Sequence, residues 1–68
     1  MEMHYVDSSN LESVGYDENT NTLFVEFKKS GIYKYFGVPK YVFEELLTAS
    51  SPGTYLNDRV KNVYPFSS

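Results

Sequence analysis

Two alternating runs joined by a glycine turn constrain this chain more than any other feature. In Thr22-Leu23-Phe24-Val25-Glu26-Phe27, the residues Leu23, Val25 and Phe27 fall on one side with a period of two. Ile32-Tyr33-Lys34-Tyr35-Phe36 follows as a second extended run rich in β-formers. Lys28-Lys29-Ser30-Gly31 lies between them. Gly31 suits the left-handed position of a three-residue hairpin loop, where a Cβ atom would be strained. Such a loop pairs Lys28 with Ile32. Phe27 then opposes Tyr33, Val25 opposes Tyr35, Glu26 opposes Lys34 and Phe24 opposes Phe36, and each pair is favourable. A two-residue loop would pair Phe27 with Lys34 and Glu26 with Tyr35 instead. A one-residue slip would turn every side chain of the strand to the wrong face.

Ser13-Val14-Gly15-Tyr16 reads as an earlier strand, and Asp17-Glu18-Asn19-Thr20-Asn21 is a run of turn residues. Pairing Tyr16 with Leu23 sets Val14 against Val25 and Gly15 against Phe24, so that a ring covers the weak spot a glycine leaves in a sheet. Tyr5-Val6 is a candidate short edge strand. The period changes at Pro39. Val42, Phe43, Leu46, Leu47 and Ala49 make a helical stripe, with Pro39 suited to the first helical position and Lys40 placed to pair with Glu44. Ser51 is a natural N-cap for a second helix that starts at Pro52 and points Leu56, Val60 and Val63 inward. Arg59 and Lys61 near its end suit the helix dipole.

These elements make an α+β domain, a small antiparallel sheet of three or four strands followed by two C-terminal helices packed on one face. It spans residues 4–64, and residues 65–68 form a loose tail. The covered face carries Val14, Tyr16, Leu23, Val25, Phe27, Tyr33 and Tyr35. The open face carries Phe24, Glu26, Ile32, Lys34 and Phe36. A chain of 68 residues with no cysteine must stabilise itself with an efficient core, and its seven Tyr and five Phe are expected to supply the area.

The formal net charge of −3 argues against a generic nucleic-acid binder. The distribution is uneven. Residues 1–27 hold six acids and no Lys or Arg, and residues 28–68 hold all six bases with three acids, giving −6 and +3. Either the two halves pair within the fold, or a basic face sits on an acidic molecule. Whether Arg59 and Lys61 share a surface with Lys28, Lys29 and Lys34 is left to tertiary structure. Met1-Glu2-Met3-His4 is acidic and precedes no apolar run, so no signal peptide or membrane contact is expected, and a cytoplasmic location is. His4 is the one histidine, which argues against a zinc site and against a serine triad. Ser8, Ser9, Ser50 and Ser51 fit turns and caps, and Asp17-Glu18 fits a solvated turn. No phosphate loop is present. No enzyme activity, cofactor, metal or catalytic residue is expected.

Taken in order, Ser8-Ser9, Val14-Gly15-Tyr16-Asp17, the Leu23-Val25-Phe27 alternation, Gly31, Tyr33-x-Tyr35 and Val38-Pro39 form a recognisable set. Ala49-x-Ser51-x-Gly53-x-Tyr55-Leu56-Asn57 and Tyr64 complete it. The set resembles the KTSC domain, named for its place at the C-terminus of some lysyl-tRNA synthetases and also found as short free-standing bacterial and phage proteins. The resemblance covers about residues 6–64. It implies RNA binding by association with a tRNA-handling enzyme, and it brings no catalytic residue with it.

Two functions follow as expectations. The first is binding of RNA, tRNA or a single strand, on the open sheet face, with bases stacked on Phe24 and Phe36 and phosphates held by Lys28, Lys29 and Lys34. The second is a protein-interaction or homodimerisation module using the same apolar face through Phe24, Ile32 and Phe36.

Overall fold

A computed structural model describes the whole chain, residues 1–68. Its elements are β1 (Met3–Tyr5), β2 (Leu11–Asp17), β3 (Thr22–Phe27), β4 (Gly31–Tyr35), α1 (Lys40–Thr48), α2 (Pro52–Arg59) and β5 (Phe66–Ser67). The strands form one antiparallel sheet in chain order, β1-β2-β3-β4-β5. This is the expected α+β arrangement, a meander followed by two helices, with a short fifth strand added. Residues 65–68, expected as a loose tail, instead place Phe66 against Tyr35 and Ser67 against Lys34. The first strand forms at Met3–Tyr5, slightly before the expected Tyr5-Val6.

Turn chemistry sets the meander. Ser8 Oγ accepts hydrogen bonds from the amides of Asn10 and Leu11, which turns the chain into β2. Asp17 Oδ1 accepts from the Asn19 amide, and Asn21 adopts a left-handed φ of 53° to close the next turn. The β2–β3 register is the expected one, with Val14 opposite Val25, Gly15 opposite Phe24 and Tyr16 opposite Leu23. A Cβ on Gly15 would lie 2.5 Å from Met3 Sδ and 2.9 Å from the Glu2 carbonyl oxygen, so this glycine lets the N-terminal segment cross the sheet closely.

Gly31 is left-handed as expected, at φ 85°, but the hairpin it helps to form is slid by two residues. Phe27 opposes Gly31, Glu26 opposes Ile32, Val25 opposes Tyr33, Phe24 opposes Lys34 and Leu23 opposes Tyr35. A slide of two keeps every side chain on its face. It replaces the expected Glu26–Lys34 and Phe24–Phe36 pairs. Glu26 instead accepts a 2.8 Å bond from Ser13 Oγ, and Lys34 Nζ sits 5.9 Å from the centroid of the Phe24 ring.

The core lies between sheet and helices. Leu11, Val14, Leu23, Val25 and Val38 come from the sheet side, Val42, Phe43, Leu46 and Leu56 from the helices, Val60 from the cap of α2, and Tyr35 closes one end. Nine of these eleven are aliphatic, so the rings do not supply the core as composition led us to expect; only Tyr35 and Phe43 are buried in it. Five valines and four leucines fill the thin space between layers, and five further rings, Tyr16, Phe27, Tyr33, Tyr55 and Tyr64, pack around its margin. Each fully buried Leu or Val contributes about 1.5–3 kcal/mol.

The helices differ from expectation at their ends. Pro39 occupies the capping position (φ −64°, ψ 150°) rather than the first helical one. Lys40 pairs with Glu18 of the β2–β3 turn, not with Glu44. Ser51 and Pro52 start α2 as expected, although the Ser51 hydroxyl donates to Thr54 Oγ1 rather than capping the backbone. Val63 is exposed, not inward: α2 stops at Arg59, and the left-handed Asn62 (φ 66°) turns the following residues away from the helical stripe.

Candidate nucleic-acid interface

The cation cluster begins at the β3–β4 turn. Lys28 and Lys29 are exposed there, and the Lys28 amide donates to the Asn10 carbonyl at 2.9 Å, which ties the turn to the loop before β2. Lys61 arrives from past the end of α2. Val60 is fully buried, the Lys61 amide donates to the Leu56 carbonyl, and Asn62 then reverses the chain. Lys61 Nζ thereby reaches 5.2 Å from the centre of the Phe27 ring. Phe27, Lys28, Lys29, Ser30 and Lys61 line one cleft of about 250 Å3 together with Ser9 and Asn10. A basic face does exist on this acidic molecule, and Lys61 belongs to it.

Rings continue the groove. Phe27 meets Tyr33 edge-on at 5.2 Å between centroids, Tyr33 stacks on Phe66 at 5.7 Å, and Phe66 meets Tyr35 at 5.8 Å. Such ring pairs add about 0.5–1.5 kcal/mol each beyond area burial. Tyr33, Tyr35 and Phe66 wall a second cleft with Lys61 and Asn62, and a smaller recess at Phe27, Ser30 and Tyr33 joins the two. Tyr35 is buried and Tyr33 is half-buried, so the Tyr-Lys-Tyr motif is core on one side and groove wall on the other. Burial, with the neighbouring Tyr33 phenol second, holds the Tyr35 phenol above the usual tyrosine value.

The five residues expected to form one interface divide. Lys28 and Lys29 line the groove on the helix side. Phe24 and Lys34 lie together on the open face in the row Met3–Gly15–Phe24–Lys34. Phe36 follows β4 at the end away from the lysine turn, where its amide donates to the Pro65 carbonyl at 2.9 Å. Arg59 does not join the cations; its guanidinium lies 5.9 Å from the Tyr55 ring, in a separate cleft shared with Asp58. Sequence reasoning missed Tyr33 and Phe66 as groove residues and left the place of Lys61 open; the structure sets Lys61 beside Lys28 and Lys29. The alternation that sends Tyr33 inward carries no information on where the helices stop covering the sheet.

Other chemistry is not assembled. No three His, Cys, Asp or Glu side chains stand close enough to hold a metal ion. His4 lies on the helix side, 5.8 Å between ring centres from Phe43. Its nearest ionic neighbour is Glu2 at 3.9 Å. A cleft between the loop at Asp7–Asn10 and the start of α2 is polar throughout, lined by Ser8, Ser9, Ser50, Ser51 and Asn57 among others. No helix is long and apolar enough to cross a membrane.

Fold and groove together define a small α+β domain that presents lysines and rings on one end of its sheet. The chain belongs to the KTSC domain family, whose pattern matches residues 7–64. A protein of Tsukamurella paurometabola is 41% identical over 59 residues, 87% of this chain and 88% of that one. The lysine–tRNA ligase of Nostoc punctiforme is 35% identical over 60 residues, which cover 88% of this chain but 11% of the ligase. The crystal structure of a KTSC domain protein from Yersinia pestis superposes with a TM-score of 0.95 at 28% identity, over 98% of this chain and 94% of that one.

Proposed function

We propose that this chain is a non-enzymatic RNA-binding domain that holds phosphates at Lys28, Lys29 and Lys61, in a cytoplasmic setting. The observation that carries the reading is the arrival of Lys61, from the far end of the chain, at the lysine turn beside an aromatic ring. None of the three lysines has a carboxylate within ion-pair distance; Lys40 is the one lysine that does. Uncommitted cations beside rings suit a strand whose phosphates and bases alternate. The matching segment in lysine–tRNA ligases supports RNA as the polyanion. Labelled tRNA and a single-stranded oligonucleotide, titrated at low salt and followed by anisotropy, test the proposal. Three phosphate contacts give a slope of about −2 for log K against log salt with a single strand. Replacing all three lysines with Gln should abolish most of the binding. Unchanged binding by that variant, or none by the parent chain at low salt, overturns the reading.

A second reading rests on the open face, where Ile32 is 49% and Phe36 40% exposed. A partner protein or a second copy could cover these apolar side chains together with Phe24. Sedimentation distinguishes the homodimer: association that strengthens with salt supports it, and a concentration-independent monomer removes it.

A further inference from the structure

We infer that the cleft walled by Tyr33, Tyr35 and Phe66 is a stacking pocket for one unpaired base, so that the RNA this domain takes is single-stranded at the point of contact. The inference rests on the RNA-binding reading above and names the form of the ligand.

Three observations meet at this cleft. First, Phe66 is 60% exposed although it is a large apolar ring, and it is not free to fold away. Its strand pairs with β4, with Phe66 opposite Tyr35 and Ser67 opposite Lys34, and the preceding Pro65 carbonyl accepts from the Phe36 amide. A ring held by that pairing and still largely exposed is offered to a ligand at lower entropic cost than an untethered one. Secondly, the cleft is about 250 Å3, below the ~300–1,000 Å3 of sites for drug-sized ligands, which suits a single ring system rather than a larger molecule. Thirdly, polar groups suited to a nucleotide stand at its rim. Lys61 is shared between this cleft and the Lys28-Lys29 cleft, so a phosphate held between them lies next to the ring wall. Asn62, held there by its left-handed backbone, offers both an amide donor and an acceptor to a base edge.

The pocket excludes a duplex by its own geometry. Bases in a paired helix are stacked on one another and show only their edges, so a protein ring reaches a base face only in a loop, bulge or single strand. Phe66 lies beyond residues 7–64, so this wall is supplied by a segment outside the family match.

The experiment compares short oligoadenylate, carrying one fluorescent adenine analogue, with the same strand annealed to oligouridylate. The single strand is expected to bind more tightly and to show quenching of the analogue. Phe66→Leu keeps apolar bulk and strand propensity but removes the ring, and Phe66→Ala removes both. Each should weaken the single strand by about 5- to 10-fold, the low end for loss of a base stack, with the salt slope unchanged. Equal affinity for strand and duplex, or an undiminished affinity of the Phe66→Leu variant, overturns the base pocket while leaving lysine-based RNA binding in place. Absence of binding to either RNA by the parent chain defeats both readings together.

Discussion

The two ends of β3 carry opposite charge and opposite finish. At its start, the Asp17-Glu18 turn is sealed. Lys40 pairs with Glu18, the Tyr16 hydroxyl donates to the Val38 carbonyl, and the Val38 amide donates to Asn21. Phe43 stacks on Tyr16 at 5.5 Å, so α1 closes over this end. At its finish, the Lys28-Lys29 turn has a single backbone tether to Asn10, no ion pair, and a groove of half-exposed rings leading away from it. The acidic half of the chain thus spends its charge partly on structure. The basic half leaves most of its charge available for a partner.

Substitutions at the two ends should therefore separate stability from binding. The largest effect is expected for Leu23→Ala, which empties a fully buried site in the row of Tyr16 and Tyr35. It should cost about 2–5 kcal/mol in urea unfolding, against about 1–2 kcal/mol for Phe66→Ala, which loses two ring pairs at the exposed end. Equal costs would erase the distinction. Tyr16→Phe comes next. It leaves the carbonyl of buried Val38 without its donor and should cost about 1–3 kcal/mol, whereas Tyr33→Phe should stay within about 0.5 kcal/mol. Gly31→Ala meets no neighbouring atom, so its expected loss of about 1 kcal/mol is backbone strain alone and should leave the RNA salt slope intact. Lys40→Gln removes an exposed pair and should have the smallest effect on stability, one that fades with added salt.

A further effect is read at alkaline pH. Tyr55 donates a 2.6 Å bond to Glu45, and burial together with that carboxylate pushes its phenol up to about 12 from a usual 10.0. The folded state favours the protonated phenol. Its contribution is complete below pH 10 and is lost as pH rises through 12. Burial and Glu18 raise Tyr16 in the same direction. Tyrosinate absorbance should therefore lag in the folded protein, and Tyr55→Phe should lessen the alkaline loss of stability measured by circular dichroism. A Tyr55 that titrates like a free phenol would contradict this.

Legibility in the sequence followed the strength of local signals. The β2–β3 register was readable because Val14, Tyr16, Leu23 and Val25 alternate on both sides of a run of turn residues. The β3–β4 register was readable only to within two residues, since a slide of two preserves every face, and the pairing of Glu26 with Lys34 was outweighed by Ser13 and Phe24 as their partners. Phe66-Ser67 is too short to show a period and follows a proline, so β5 left no trace. Lys28 and Lys29 announce themselves as a turn. Their meeting with Lys61 depends on where α2 ends and on a left-handed Asn62, neither of which composition reports.

The strand order also has a kinetic consequence. From β1 to β4 every neighbour in the sheet is the next strand in the chain, so these hairpins close short loops and can form early. Strand β5 must wait for both helices to be laid down before it returns to β4, and it brings only two residues when it does. It is therefore expected to zip last and to fray first, with the Phe36 amide exchanging hydrogen faster than the amides of β3. The wall that carries Phe66 is thus the last part of the groove to be completed, and the ring stands in place only while that two-residue ladder is paired.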